Sequence, residues 1–212
     1  FRPSGGRVNI FNETGAPVTG ATEENGFIVS ALNGKISGRF NFYDTGVLNI
    51  SFDKGGVSNS ESILLNLAFQ LDNPANVAQG FTVADVQAVL PPQGVIDVNG
   101  FVPNFANATA TTNRNSADTG TQDFTSKGLE FELAYNPTSK WTILMSVAKQ
   151  NTITSNTYPT MQRYVNDFVI PTWVNSSFAK KYFINDLGTQ TLAELAQTSI
   201  VNPVFDAVTE DG

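Results

Sequence analysis

From Thr125 to Asn151 the chain alternates apolar and polar residues along two arms joined by a short turn. Leu129, Phe131, Leu133 and Tyr135 share one side of the first arm, against Gly128, Glu130, Glu132 and Ala134. On the second arm Trp141, Ile143, Met145 and Val147 oppose Thr142, Ser146, Ala148 and Gln150. Side chains alternate across a strand, so this stretch predicts an antiparallel hairpin with one apolar and one polar face. The turn falls at Asn136-Pro137-Thr138-Ser139. Each arm is about 9–11 residues long, the reach of a tilted strand across a bilayer. Tyr135 and Trp141 flank the turn, where an interfacial aromatic girdle would lie. The inner face of a soluble sandwich carries the same alternation, so this hairpin alone leaves both settings open.

A second hairpin is predicted upstream. Phe27, Val29 and Ala31 line one side of the arm from Glu24 to Leu32. Asn33-Gly34 is the strongest two-residue hairpin signal, because both central positions of a type I′ turn want positive φ. The chain then returns over 35–50, with Ile36, Gly38, Phe40 and Phe42 opposed by Ser37, Arg39 and Asn41. Tight turns on one side and long connections on the other form an uneven meander, the habit of outer-membrane barrels.

The connections read differently. Ile63, Leu64, Leu67, Ala68 and Leu71 recur at helical spacing over 60–71. Thr82 and Asp85 form a capping-box pattern before a short helix to about Leu90, which Pro91-Pro92-Gln93-Gly94 stops. Asn104 to Asp123 has no period and reads as exposed loop. Tyr158 to Tyr182 is mixed and broken by Pro159 and Pro171. Thr191 and Glu194 form another capping box, opening a helix to about Thr198.

Composition removes several functions. The chain has 212 residues, 15% of them charged, and a formal net charge of -7, with no basic run to hold nucleic acid. It contains neither Cys nor His, which excludes a disulfide framework, the usual zinc sites and any Ser-His-Asp or Cys-His machinery. No apolar run approaches the ~18 residues of a membrane helix. A bilayer-crossing role therefore falls to strands.

The remaining motifs have bland readings. Glu130 and Glu132 share a strand face about 7 Å apart, within the range of glycosidase carboxylate pairs. Such pairs come from different elements facing a cleft, so two polar surface residues is the simpler reading. Ser177-Phe178-Ala179-Lys180 has the S-x-x-K spacing of acyl-serine enzymes without its companion motifs. Asp97-Val98-Asn99-Gly100 matches half a calcium loop without its closing Glu, and reads as a turn. Four acceptor patterns at Asn12, Asn49, Asn107 and Asn175 are expected by accident in a chain this rich in Asn and Thr. The aromatics Tyr158, Tyr164, Phe168, Trp173, Phe178, Tyr182 and Phe183 read as the core of a loop subdomain rather than a sugar-binding surface.

The order of motifs carries a family resemblance. Phe1-Arg2-Pro3 precedes a Gly/Pro-rich loop ending in Gly20-Ala21-Thr22-Glu23-Glu24, then a strand and the turn Asn33-Gly34-Lys35. An aromatic-rich strand follows, ending near Asp44-Thr45. Ser126-Lys127-Gly128-Leu129-Glu130-Phe131-Glu132-Leu133, Asn136-Pro137-Thr138 and Trp141 come later. Together these resemble the barrel of TonB-dependent outer-membrane receptors, over Phe1 to Ser51 and Thr125 to Asn156. The resemblance covers neither plug nor TonB box nor a terminal aromatic strand, and so implies an interior stretch, roughly a fifth of such a barrel.

What the resemblance implies is energised uptake of a scarce nutrient, such as an iron chelate, a cobalamin or an oligosaccharide, across the outer membrane of a Gram-negative-type bacterium. The stretch would not transport alone. Its partners would be outer-membrane lipid, the remaining barrel and plug, TonB through the plug, and a small-molecule or oligosaccharide ligand at the external loops. Arg39, Glu130 and Glu132 would face the lumen, and Phe40, Phe42, Leu129, Phe131, Trp141 and Ile143 would face lipid. No catalytic residue, cofactor or metal is expected. The predicted fold is mainly β: about four strands of antiparallel hairpin from an incomplete transmembrane barrel, with long loops carrying short α-helices. Residues 1–52 hold an external loop and the first hairpin, 53–124 a long external loop with short helices, 125–156 the second hairpin, and 157–212 an external loop with helices. The alternative is a soluble secreted β-rich binding or adhesion module. A hydrolase built on the two glutamates ranks below both.

Overall fold

The computed structural model describes residues 7–52, 56–115 and 119–209. Phe1-Arg2-Pro3, which opens the resemblance above, lies outside them. Strands β1 (Thr19–Ala31), β2 (Ile36–Phe52), β5 (Gly120–Thr138) and β6 (Trp141–Ser155) form one antiparallel sheet in the order β1-β2-β5-β6. Both predicted hairpins are present. The chain is nonetheless mixed rather than mainly β, with 38% strand and 31% helix, and the four strands do not close into a barrel. The helical share comes from the connections, in which α1 (Gly56–Phe69) and the two capped helices follow the sequence pattern and further short helices add to them.

The first turn follows its sequence signal. Pairing ends at Ala31 with Ile36, Lys35 N donates to Leu32 O at 3.2 Å, and both Asn33 and Gly34 have positive φ. The second turn is displaced from its expected place. β5 runs on through Asn136 and Pro137 to Thr138, which pairs with Trp141, leaving Ser139 and Lys140 as the turn. The register shifts between Tyr135 and Thr138. Pro137 lies in this irregularity, where its missing N–H costs no ladder bond.

Two compact units divide the chain. One is the sheet, Val18–Ile50 with Gln122–Ser155; the other takes the described parts of Phe1–Pro17, Ser51–Thr121 and Asn156–Asp211. The second unit contains α1 (Gly56–Phe69), α2 (Pro74–Ala78), α3 (Val83–Gln87) and α4 (Gln93–Asn99). A small hairpin of β3 (Val102–Asn104) and β4 (Thr109–Thr111) follows, in the stretch expected to be loop. Three-residue strands are too short to show alternation. Later come α5 (Pro159–Tyr164), a π-helical segment Val165–Val174, α6 (Leu192–Ala196), a second π-helical segment Gln197–Val201, and α7 (Asn202–Thr209).

This helical unit has a true core. Ile63, Leu64, Leu67, Val86, Val95, Val98, Tyr164, Trp173, Tyr182, Leu192 and Ile200 are all fully buried. The α1 side chains in that set are those the spacing singled out. Both capping boxes form, Thr82 with Asp85 on α3 and Thr191 with Glu194 on α6. Pro92 caps α4 instead of ending helical structure, so Asp97 to Asn99 close a helix rather than a turn. Gly100 ends it in the left-handed region (φ 56°), where a Cβ would collide with the Asn113 backbone. Pro171 falls inside the first π-helical segment, whose wider ladder continues past the missing N–H.

Side chains tie the separate stretches of this unit together. Trp173 Nε1 donates to Val89 O at 2.8 Å, and Tyr182 Oη donates to Leu67 O at 2.8 Å. Asn76, fully buried, donates to Gln70 O and Phe183 O and accepts from Phe183 N at 2.8 Å. Arg163 joins Glu13 at 3.3 Å and lies over the Phe11 ring. Residues before β1, between β2 and β5, and after β6 thus share one packed body.

Candidate functional site: the two faces of the sheet

The sheet has a different character from the helical unit. Every buried hydrophobic residue among the described ones belongs to the helical unit, and only Gly38 and Ser126 of the sheet unit are buried. All of β1 is exposed, and β6 is exposed from Trp141 through Ile153. An amphipathic sheet normally buries one face to repay its ordering entropy. Within the sheet unit itself no second layer covers either face.

Register shows which residues share each face. Phe27 pairs with Phe40, Phe131 with Val147, and Leu133 with Met145. Phe40 stacks on Phe27 at 4.8 Å and meets Phe131 at 4.6 Å, so three aromatic rings run in a row across β1, β2 and β5. The β2–β5 seam is marked by Asn136 N donating to Lys35 O at 2.7 Å, by Phe40 against Phe131, and by the Asp44–Lys127 ion pair at 2.7 Å. Alternation then places Phe40, Phe42, Leu129, Phe131, Trp141 and Ile143 on one face. Trp141 is 68% exposed at the turn end of this face. Such a continuous apolar surface is rare on soluble monomers.

Arg39, Glu130 and Glu132 occupy the other face. Ile28 pairs with Arg39 and Glu132 with Ser146, and all four line one depression of about 510 Å³ with Ser37 and Leu144. Glu130 and Glu132 are both exposed, with no cleft between opposing elements around them. Sequence reasoning passed over Ile28 and Leu144, which break the polarity of this face at 69% and 75% exposure. It also passed over Tyr43, whose ring fills the space above Gly128. Only cross-strand register reveals that last contact, since the two residues are far apart in sequence.

The other sequence motifs separate from this site. Tyr164 and Trp173 are fully buried, and Tyr164 stacks on Phe168 at 5.7 Å. Burial pushes the Tyr164 hydroxyl well above its ordinary range, the Ser60 hydroxyl only partly offsetting it, and neither hydroxyl reaches hydrogen-bond geometry. Burial raises the Tyr182 hydroxyl as well, helped by the charge of Asp72. Ser177 and Lys180 are both exposed. Asn99 is buried and donates to Val95 O at 2.8 Å with its Oδ1 left without a partner, while Asp97 accepts from Gln93 at 2.7 Å, so the amide and the carboxylate are both engaged within their own helix. Among the described residues no cluster of three or more His, Cys, Asp or Glu gathers for a metal, and no helix is long and apolar enough to cross a membrane.

The chain matches no protein-family model, and comparison with curated proteins returns no match.

Proposed function

We propose that this chain is a stretch of the barrel of an outer-membrane TonB-dependent receptor, serving energised uptake of a scarce nutrient. One observation carries the reading: a four-stranded antiparallel sheet with a wide apolar face, no hydrophobic core, and both faces exposed. Lipid on the apolar face supplies the burial that the sheet lacks. Arg39, Glu130 and Glu132 then line the lumen. Phe40, Phe42, Leu129, Phe131, Trp141 and Ile143 face acyl chains, with Trp141 at the interface.

The strand geometry suits this. Trp141 to Lys149 on β6 is about 27 Å of strand, at the lower end of what a tilted strand needs to cross. β1 and β6 each keep one edge without a partner among the described residues, ready for neighbouring barrel strands. The long connections, leaving the strand ends opposite the tight turns, would be the external loops and present the ligand-binding surface. The rival, a soluble secreted binding or adhesion module, needs a second layer over Phe40, Phe131 and Val147. Within the sheet unit there is none.

Fractionation of cells producing the protein tests the proposal. The reading expects material that stays with the outer membrane through alkaline carbonate washing, with an epitope in the helical unit accessible on intact cells. Release into the soluble fraction would overturn it.

A further inference from the structure

Deepening the receptor reading, on which its choice of cargo rests, we infer that the helical unit carries a sugar subsite, a cup that takes one ring of a neutral oligosaccharide. Gln79, Phe81, Asp85, Ser177, Phe178 and Lys181 line a depression of about 240 Å³. Its walls come from the stretch after α2 and from the turn after the first π-helical segment, far apart in sequence. Asn76 fastens the two, donating to Phe183 O and accepting from Phe183 N. Gly80, with φ of 76°, turns the chain out of α2, and Phe81 then meets Phe178 edge-on at 4.9 Å. Tyr182 stacks on Phe178 at 4.7 Å and is itself buried core, tied to Leu67 O. The two phenylalanines are half-buried, so the aromatic core of this unit reaches the surface here. The cup is held by the fold itself, which lowers the ordering cost of binding.

The rim supplies what hydroxyl groups need. Asp85 accepts from the Thr82 N–H and hydroxyl through Oδ2, which leaves Oδ1 to accept from a ligand. Lys181 is exposed and lines the same cup, yet forms no ion pair with Asp85 or any other of the described residues. The carboxylate only accepts, the ammonium only donates, and the Gln79 amide and Ser177 hydroxyl do both. A sugar hydroxyl also does both, while the C–H face of the ring suits an aromatic floor. This combination selects among the cargoes of the receptor reading. A corrin is too large for a space below the ~300 Å³ of ordinary ligand pockets. An anionic iron chelate would meet one cation beside one carboxylate, with no net attraction. A neutral sugar uses both charges as hydrogen-bond partners.

The test places the full receptor, purified in detergent, on an array of neutral and acidic oligosaccharides, with ferric citrate and cyanocobalamin as soluble competitors. A neutral oligosaccharide should be retained, and neither competitor should displace it. Lys181→Met should weaken retention at least about tenfold, the loss of one charge-assisted hydrogen bond. Melting should stay with the parent, because the side chain is exposed. Lys180→Met, whose exposed ammonium lies outside the cup, should bind as the parent does. No retained oligosaccharide, equal retention by the parent and Lys181→Met, or equal loss in the two lysine variants would overturn the subsite. With the protein still held in the outer membrane through carbonate washing, any of these leaves the receptor reading standing. Retention by a protein that washes into the soluble fraction would keep the subsite and remove the receptor.

Discussion

The ring of Tyr43 occupies the space that a Cβ at position 128 would fill, locking β2 to β5 on the polar face of the sheet. A glycine here is a packing requirement set by its cross-strand neighbour. Its partner on β6, Gln150, donates to Ser126 at 2.8 Å, so β5 is tied to β6 as well beside the same glycine.

Gly128→Val should force that ring out of place and destabilise the sheet by about 1–3 kcal/mol, the usual cost of overpacking. Adding Tyr43→Ala should recover most of the loss. Denaturant titration of the two single variants and the double variant in bilayers would measure the coupling.

In the helical unit Asn76 binds three backbone groups of two distant stretches, Gln70 O, Phe183 O and Phe183 N. Asn76→Leu keeps the volume but leaves those groups buried and unpaired. A loss of about 1–3 kcal/mol per orphaned group is expected. Proteolysis between residues 70 and 80 should accelerate, while Asn76→Gln should show a smaller effect only if the longer amide reaches Phe183.

Glu194 carries a pH dependence. The backbone N–H and hydroxyl of Thr191 hold its carboxyl below the usual carboxylate range, and the same arrangement with Thr82 lowers Asp85. Because the folded value is depressed, the stabilisation is present above the unfolded pKa of about 4.3. It is lost as pH falls through the folded value. Glu194→Gln should flatten that part of the stability profile below about pH 4.3 and lower stability modestly at neutral pH, where the charged carboxylate contributes in full. Melting curves of the two proteins across this range would check it.

Arginine substitutions along β5 should report depth. Phe131→Arg, in the middle of the apolar rows, should cost about 2–4 kcal/mol, and Thr125→Arg, beyond the Asp44–Lys127 pair, about 0–1 kcal/mol. The gradient is the informative quantity, since a buried soluble core would also resist the first substitution.

Much of the sheet was legible in the sequence, because alternation over long arms is a strong signal and Asn33-Gly34 names its own turn. The second turn was misplaced because Asn136-Pro137 looks like a turn, yet forms an irregularity within β5. The α1 core residues and both capping boxes were readable from spacing. α4 was not, since Pro91-Pro92 reads as a stop while Pro at the start of a helix costs nothing. The candidate faces followed from alternation, but the Asp44–Lys127 and Tyr43–Gly128 contacts depend on which strands become neighbours across an interval of some seventy residues of helical unit. No local pattern encodes that pairing.

The chain has no cysteine, so single Cys substitutions at Phe131 and Glu132 give clean, adjacent reporters for the central claim that the two sheet faces meet lipid and water. Each would be labelled in intact membranes with a lipophilic maleimide and with a charged aqueous one. The receptor reading predicts lipophilic labelling at 131 and aqueous labelling at 132. Reversed labelling, or aqueous labelling at both, would contradict it.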